Sequence, residues 1–380
     1  MDDAYRRLAK HLDRLPGGFP PTEDGVELRI LQRLFTPEEA RLAVHCTLIP
    51  ETASVIARRA GISPEEASRR LKAMARKGLL FNIEKQGSPA LYMAAQYVIG
   101  IWEYHVKDLD PDLIQDMNAY IPKLMNPAVW KESPQLRTVP VGRSIPASAN
   151  VLPYERAEEL VRARKRFLVA PCICRTEHRM MGEGCDRPVE TCLVFDLGAD
   201  YYERNGLGRR IDLDEALDIL KQADKAGLVL QPSNAQKVIN ICCCCGCCCQ
   251  VLKTLKRYPE PAALVSSPFL AELDPETCKG CGVCVERCQM DALMMKEDKV
   301  SLDPKRCIGC GLCVSTCPTG SLTLTRKPET EHADVPRSMV ESAIRLGRTR
   351  GKLSSLSMAK MQIQSKVDRL LAARRKPHKV

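Results

Sequence analysis

Apolar positions recur at helical spacing near the start of the chain and predict a helix-turn-helix with a wing over residues 36–95. The strings TPEE at 36–39 and SPEE at 63–66 are N-terminal capping patterns, each opening a helix. The later helix ends at Gly78, a C-terminal cap, and two strands flank the turn at 86–89. Its buried face is spaced by four and three residues, at Ala67, Leu71 and Met74.

The periodic pattern weakens further along the chain. Prolines are frequent over 122–153, so we interpret residues 106–165 as a linker or an extended wrap. From Pro336 onward the pattern predicts one or two amphipathic helices, broken at Gly347 and Gly351. The chain is therefore expected to be α+β and multidomain, beginning with a winged-helix-like domain at 1–105.

Charge changes this picture at the C-terminal end. The formal net charge is +10, and residues 337–380 hold twelve Lys/Arg against two Asp/Glu, so the rest of the chain is balanced. Such a basic tail can contact an acidic partner, nucleic acid or an anionic membrane surface, or it can be a solvated helix that aids solubility.

The chain contains 20 cysteines. We find no apolar run of transmembrane length and no signal peptide, so we expect a cytoplasmic protein whose thiols stay reduced. Cysteine-dense chains of that kind bind metals more often than they form disulfides.

Eight of the cysteines belong to an internal repeat. DPETCKGCGVCVERCQMDALMM at 274–295 recurs as DPKRCIGCGLCVSTCPTGSLTL at 303–324, each with the spacing C-x2-C-x2-C-x3-C. Three cysteines on a tight loop reach three corners of one [4Fe–4S] cubane, and the fourth reaches the other cubane. One predicted cluster therefore has the ligands Cys278, Cys281, Cys284 and Cys317, and the other has Cys288, Cys307, Cys310 and Cys313. The alternative, zinc, does not account for two matched repeats.

This repeat resembles the bacterial two-cluster ferredoxins over about 50 residues. The resemblance implies a ferredoxin-like βαβ dicluster domain at 261–330 and single-electron transfer. The charge and helical pattern described above predict a basic helical tail after it, at 331–380. Gln289 departs from the family, which usually has a proline there, as this chain does at Pro318. That proline shapes a turn and is not a ligand.

A second group of eleven cysteines lies in residues 166–260, predicted to be a cysteine-rich metal-binding domain. Adjacent residues in extended backbone point to opposite sides, so the thiols cannot all bind one centre. We interpret them as ligands of one or two additional iron–sulfur clusters, with a structural zinc site or metal-free thiols as alternatives. The candidate ligands are Cys172, Cys174, Cys185, Cys192, Cys242, Cys244, Cys245, Cys247, Cys248 and Cys249; Cys243 is a doubtful ligand.

Three further features of the sequence are a helix start, a histidine and an isolated cysteine. A helix from about Cys248 to Arg257 would present its N-terminus to an anionic cluster. His178 is interpreted as a surface histidine rather than a ligand. Cys46 is interpreted as a core residue.

PCxCR, C-x6-C and the CCxCCC run, taken together, resemble ferredoxin-like 4Fe–4S binding proteins of anaerobic microbes, often with a helix-turn-helix-like front end. The resemblance implies further iron–sulfur ligation in the middle domain. We find no Walker A, dinucleotide-binding or H-E-x-x-H motif, so a catalytic centre of the chain's own is not supported.

The sequence favours an iron–sulfur electron carrier whose partners are redox proteins or oxidoreductase subunits. Two alternatives stay open: a redox-sensing DNA-binding regulator and an electron-transfer subunit of a larger oxidoreductase complex. Basic residues on the predicted recognition helix allow phosphate contacts, but Glu65 and Glu66 lie at its N-terminus, where bases are read, so docking to protein is favoured.

Overall fold

The structure is a computed structural model that describes residues 3–145, 151–331 and 334–374, and it mixes helix with antiparallel sheet. The α+β prediction is confirmed. The helices are α1 (Asp3–Asp13), α2 (Val26–Leu34), α3 (Pro37–Ala43), α4 (Ala53–Ala60), α5 (Pro64–Arg76), α6 (Trp102–Tyr104), α7 (Pro111–Leu124), α8 (Pro127–Glu132), α9 (Ala157–Arg162), α10 (Ile173–Met180), α11 (Leu197–Arg204), α12 (Leu213–Lys225), α13 (Gln250–Lys256), α14 (Val283–Arg287), α15 (Met339–Thr349) and α16 (Ser355–Arg374).

The strands are short and form four separate sheets within the described residues. They are β1 (Glu51–Thr52), β2 (Phe81–Ile83), β3 (Leu91–Met93), β4 (Phe167–Pro171), β5 (Glu190–Phe195), β6 (Arg209–Ile211), β7 (Val229–Pro232), β8 (Asn240–Cys244), β9 (Phe269–Leu273), β10 (Leu293–Lys296), β11 (Lys299–Leu302) and β12 (Leu322–Arg326). Among the described helices, none is long and apolar enough to cross a membrane.

The chain divides into two compact units. The first consists of the described residues of Met1–Leu124, Arg204–Leu207 and Ala343–Val380, and the second of those of Met125–Glu203 and Gly208–Ser342. The predicted cysteine-rich and ferredoxin-like domains therefore lie in one unit, while most of the tail joins the N-terminal residues in the other.

The N-terminal elements follow the capping signals in the sequence. Thr36 and Glu39 form a reciprocal capping box at the start of α3, and the Ser63 hydroxyl accepts from the Glu66 amide at the start of α5. Helix α3 ends at Ala43. Helices α4 and α5 are followed by a three-stranded antiparallel sheet in the order β1-β3-β2.

The core of the first unit contains leucines of α1, α2, α3 and α5, Val55 and Ile56 of α4, and three aromatic rings. Phe19 packs against Tyr97 and Tyr120, with ring centroids 4.8 Å and 4.9 Å away. All three rings are almost fully buried. Packed aromatic rings of this kind contribute about 0.5–1.5 kcal/mol per pair beyond the burial of their area.

The last helix, α16, is tied to α4 by charge. Arg59 donates to Asp368 at 2.6 Å and to Glu51 at 2.5 Å, and both carboxylates are nearly inaccessible to solvent.

The described part of the predicted tail contains two helices, α15 and α16. The break between them comes after Thr349, and Gly347 lies inside α15 rather than between helices.

The second unit is organised on a five-stranded antiparallel sheet in the order β6-β4-β5-β8-β7. Strand β4 and the second half of β5 are apolar, and α12 packs against both strands. The Asp212 side chain caps the start of α12 by accepting from the Glu215 amide. Residues 106–165 are only partly the extended wrap that the prolines predicted, since α7, α8 and α9 lie there. The extended part passes along β7, where Arg137 and Val139 donate to the carbonyls of Pro232 and Leu230 at 3.1 Å.

Candidate metal centres

The two repeats at 274–324 fold into matching loops. Gly280 and Gly309 both have φ +66°, and Gly282 and Gly311 both have φ +75°. A Cβ on Gly309 would overlap the carbonyl oxygen of Phe269, and one on Gly280 would overlap the carbonyl of Asp298. Left-handed backbone and close approach together require glycine at these two positions.

A cavity opens inside the second loop. It has about 370 Å³ of empty space, including its open mouth, and its wall is largely apolar. Four cysteines line it together with Ala271, Ala292 and Leu293: Cys288, Cys307, Cys310 and Cys313. The sequence assigned these same four cysteines to one cluster.

Backbone amides point at the sulfurs of this cavity. The amide of Ala271 donates to Cys307 Sγ at 3.5 Å, and that of Ala292 donates to Cys288 Sγ at 3.2 Å. Amide donors stabilise thiolates bound to a cluster and raise its potential. The four cysteines, the amide donors and the apolar wall of the cavity therefore fit an iron–sulfur cluster.

The other four repeat cysteines also influence one another. Burial raises the pKa of the Cys284 thiol, and the charges of Cys281, Cys317 and Cys278 raise it further. Burial would also raise the pKa of Cys317, but hydrogen bonds from Thr319 outweigh this and lower it to about 7. Neighbouring thiolates repel one another, and a bound cation removes that cost. The division of the eight repeat cysteines into two ligand sets stays a prediction.

In the middle of the second unit, strand pairing brings together cysteines that are distant in sequence. Cys192 on β5 lies opposite Cys242 on β8, and alternation along β8 puts Cys242 and Cys244 on one side and Cys243 on the other. Burial raises the pKa of Cys243 to about 12, as expected for a thiol in the protein core.

Six of these thiols form one group, which we call the inner group. Their sulfurs are linked by hydrogen bonds in a continuous series, and all six are buried or half-buried. In the order of contact they are Cys172, Cys174, Cys249, Cys244, Cys242 and Cys192.

Two helices begin at this group. Cys172 is the N-cap of α10 and Cys249 is the N-cap of α13. Hydrogen bonds from Cys174 and Cys244, helped by backbone amides of α13, hold the pKa of Cys249 well below its usual range despite burial. The inner group can therefore hold negative charge on some of its sulfurs.

Arg175 is a buried charged residue beside these thiols that the sequence analysis did not single out. It is completely buried, and it donates to the Cys243 carbonyl at 3.0 Å and to Cys245 Sγ at 3.7 Å. Burial would lower its pKa, but the negative charges of Cys172 and Cys245 more than compensate and raise it. The arginine of the PCxCR motif is the signal that could have found it.

The remaining four candidate thiols form a separate set, which we call the rim group. It consists of Cys185, Cys245, Cys247 and Cys248, whose sulfurs all lie within 4.8 Å of one another. Cys247 is exposed, whereas Cys245 and Cys248 are buried.

The structure also places the two other residues singled out in the sequence. His178 is buried, not on the surface as predicted, because its ring lies between the Cys174 carbonyl and Lys253 Nζ, each at 2.8 Å. Both ring nitrogens are engaged, so it is not available as a ligand. Cys46 is buried in the first unit, and burial raises its pKa to about 12.

Gln289 connects the two cysteine-rich regions. Its Oε1 accepts from the amide of Gly246 at 2.7 Å, and its backbone carbonyl lies against Gly246, where a Cβ would collide. Gly246 separates Cys245 from Cys247, and Gln289 follows Cys288. The residue that departs from the ferredoxin pattern therefore joins the end of the first repeat to the turn that contains Gly246.

Comparison with known proteins supports the interpretation of the repeats. Residues 277–321 match the model of the 4Fe–4S dicluster domain. No curated protein and no solved structure matches the chain. The match covers the two loops and leaves the inner and rim groups outside it.

Proposed function

We propose that this chain is an electron carrier that relays single electrons between partner proteins through two [4Fe–4S] clusters in its ferredoxin-like domain. The dicluster match at 277–321 is the observation that carries the proposal. One cluster takes Cys278, Cys281, Cys284 and Cys317, and the other takes Cys288, Cys307, Cys310 and Cys313. The cavity lined by the second set supports this division.

The inner group is proposed to hold a further iron–sulfur centre. Its support is chemical: six thiols are linked in one series, two of them are helix N-caps, and the buried guanidinium of Arg175 interacts electrostatically with Cys172. Thiolates are the ligands that iron–sulfur clusters prefer, and a nearby cation offsets their charge. The contact between Gln289 and Gly246 would then provide a short route from the ferredoxin-like domain.

Residues 36–95 are proposed to be a winged helix-turn-helix that docks a redox partner or an oxidoreductase subunit. Several basic side chains of this winged helix already form ion pairs with acidic side chains. They are therefore less available to bind the phosphates of DNA. Arg70 pairs with Glu66 at 2.6 Å, and Lys77 pairs with Glu39 at 2.7 Å. Docking to protein is therefore favoured over regulation through DNA.

The test compares the wild-type protein with Cys281→Ala, prepared anaerobically. We expect one of the two ferredoxin EPR signals to be lost and the other to remain, because only one loop loses a ligand. Cys46→Ala is the matched control, since it removes a buried thiol from the other compact unit. Unchanged iron content and EPR in Cys281→Ala would contradict the proposal.

Iron analysis of the wild-type protein tests the inner centre separately. About eight irons per chain indicate the ferredoxin-like domain alone, and roughly twelve or more indicate a loaded inner group. Cys174→Ala should lower the higher value without affecting the ferredoxin signals.

A further inference from the structure

The spacing of the rim group differs from what a cubane needs. Cys185 Sγ lies 3.9 Å from Cys245 Sγ and 3.7 Å from Cys248 Sγ, and Cys248 Sγ lies 3.8 Å from Cys247 Sγ. Four thiolates around one ion with metal–sulfur bonds of about 2.3 Å stand about 3.8 Å apart at the corners of a tetrahedron. The three measured separations are close to that tetrahedral edge.

The ferredoxin loops provide an internal comparison. In a [4Fe–4S] cluster each thiolate binds a different iron at a different corner, so the four sulfurs stand further apart than around one ion. Within the described residues, which include all eight repeat cysteines, the rim group is the set whose sulfurs lie within 4.8 Å of one another. The same chain thus shows two kinds of cysteine spacing.

We propose that the rim group binds a single thiophilic divalent ion, Zn²⁺ or Fe²⁺, in a closed four-thiolate site. This site is mononuclear and separate from the iron–sulfur clusters of the proposed function. A site with four protein ligands has no open position for substrate, which is typical of structural metal sites.

The surrounding charges suit such a centre. One divalent ion and four thiolates carry a net charge of −2. Two guanidinium groups donate to the sulfurs: Arg187 to Cys247 Sγ at 3.5 Å and Arg175 to Cys245 Sγ at 3.7 Å. Two cations therefore face a dianionic centre, and charged donors stabilise thiolates more than neutral ones do.

The site joins two segments that are distant in the sequence. Cys185 belongs to the irregular segment after α10, and the other three thiols belong to the turn before α13. Arg179 draws the first segment together by donating to the carbonyls of Cys185 and Arg187. A bound ion would hold this segment against the turn that contains Gly246, beside the contact with Gln289.

The experiment measures zinc, iron and acid-labile sulfide in full-length, anaerobically purified protein and in Cys247→Ser. Cys247 is exposed, so its substitution should be tolerated by the fold. The expected result is the loss of one metal ion per chain with unchanged sulfide. Cys243→Ala is the matched control, because Cys243 lies on β8, two residues before Cys245, but outside the group, and this variant should retain the ion.

Two outcomes would overturn the proposal. Loss of several irons together with sulfide would show a cluster at the rim group, and unchanged metal content would show that Cys247 binds none. If the variant fails to fold, the wild-type protein reconstituted with Co²⁺ decides the matter. Intense thiolate-to-cobalt bands with tetrahedral d–d absorption are expected, and their absence would refute a four-thiolate site.

Discussion

Gly309→Ala should destabilise the second ferredoxin loop far more than Gly320→Ala. Both glycines have left-handed backbone, with φ +66° and φ +69°. They differ in space, because a Cβ at 309 would overlap the Phe269 carbonyl, whereas no atom lies within 4 Å of a Cβ at 320. The second variant is thus a control for the backbone cost alone.

The loss of stability in each variant is estimated from two contributions. Left-handed backbone costs an L-residue about 1–2 kcal/mol, and this applies to both variants. Only Gly309→Ala must also displace β9, and comparable overpacking costs about 1–3 kcal/mol. That difference corresponds to roughly a 5- to 140-fold change in the population of the opened loop. Displacing β9 would also weaken the hydrogen bond from Ala271 to Cys307 Sγ.

The assay is the rate of iron release to a chelator under anaerobic conditions, followed by visible absorbance. Because release proceeds through local opening of the loop, its rate reports the opened population. Gly309→Ala should release about half of the ferredoxin iron much faster than Gly320→Ala does. Equal rates for the two variants would refute the view that close approach to Phe269 stabilises the cluster loop.

Two further predictions concern other contacts. Asp368→Asn should lower the free energy of unfolding by about 2 kcal/mol, because Arg59 loses a charged acceptor. Burial would raise the pKa of Asp368, but hydrogen bonds from Arg59 and Gln364 lower it. The difference in the free energy of unfolding between the wild-type protein and Asp368→Asn should therefore be complete above about pH 5 and decline as pH falls below about 4. Thermal melts at several pH values can check this. A difference that grows on acidification would contradict it. Gln289→Ala should slow electron exchange between the ferredoxin clusters and the inner centre without changing iron content, measured by rapid-freeze EPR; an unchanged rate would exclude this contact as the route.

The ferredoxin-like domain could be predicted in detail because its chemistry is local. Each repeat holds its cysteines and turn glycines within about a dozen residues, so spacing alone limits the geometry. The capping signals at Thr36 and Ser63 are confirmed for the same reason. Residues 106–165 were harder to interpret. The prolines from Pro122 onward suggested a linker, yet Pro122 lies inside α7, which buries Leu113, Met117 and Tyr120.

The amino-acid sequence by itself determined which residues can bind metal and how the two repeated loops are built, because those properties depend on residue type and short spacing. Only the tertiary structure decided how the eleven middle cysteines divide. The pairing of β5 with β8 brings Cys192 to Cys242, and the turn before α13 directs Cys245, Cys247 and Cys248 toward Cys185. These contacts join segments some 50 residues apart. Their grouping depends on strand register and chain path, which the spacing of cysteines along the chain does not specify.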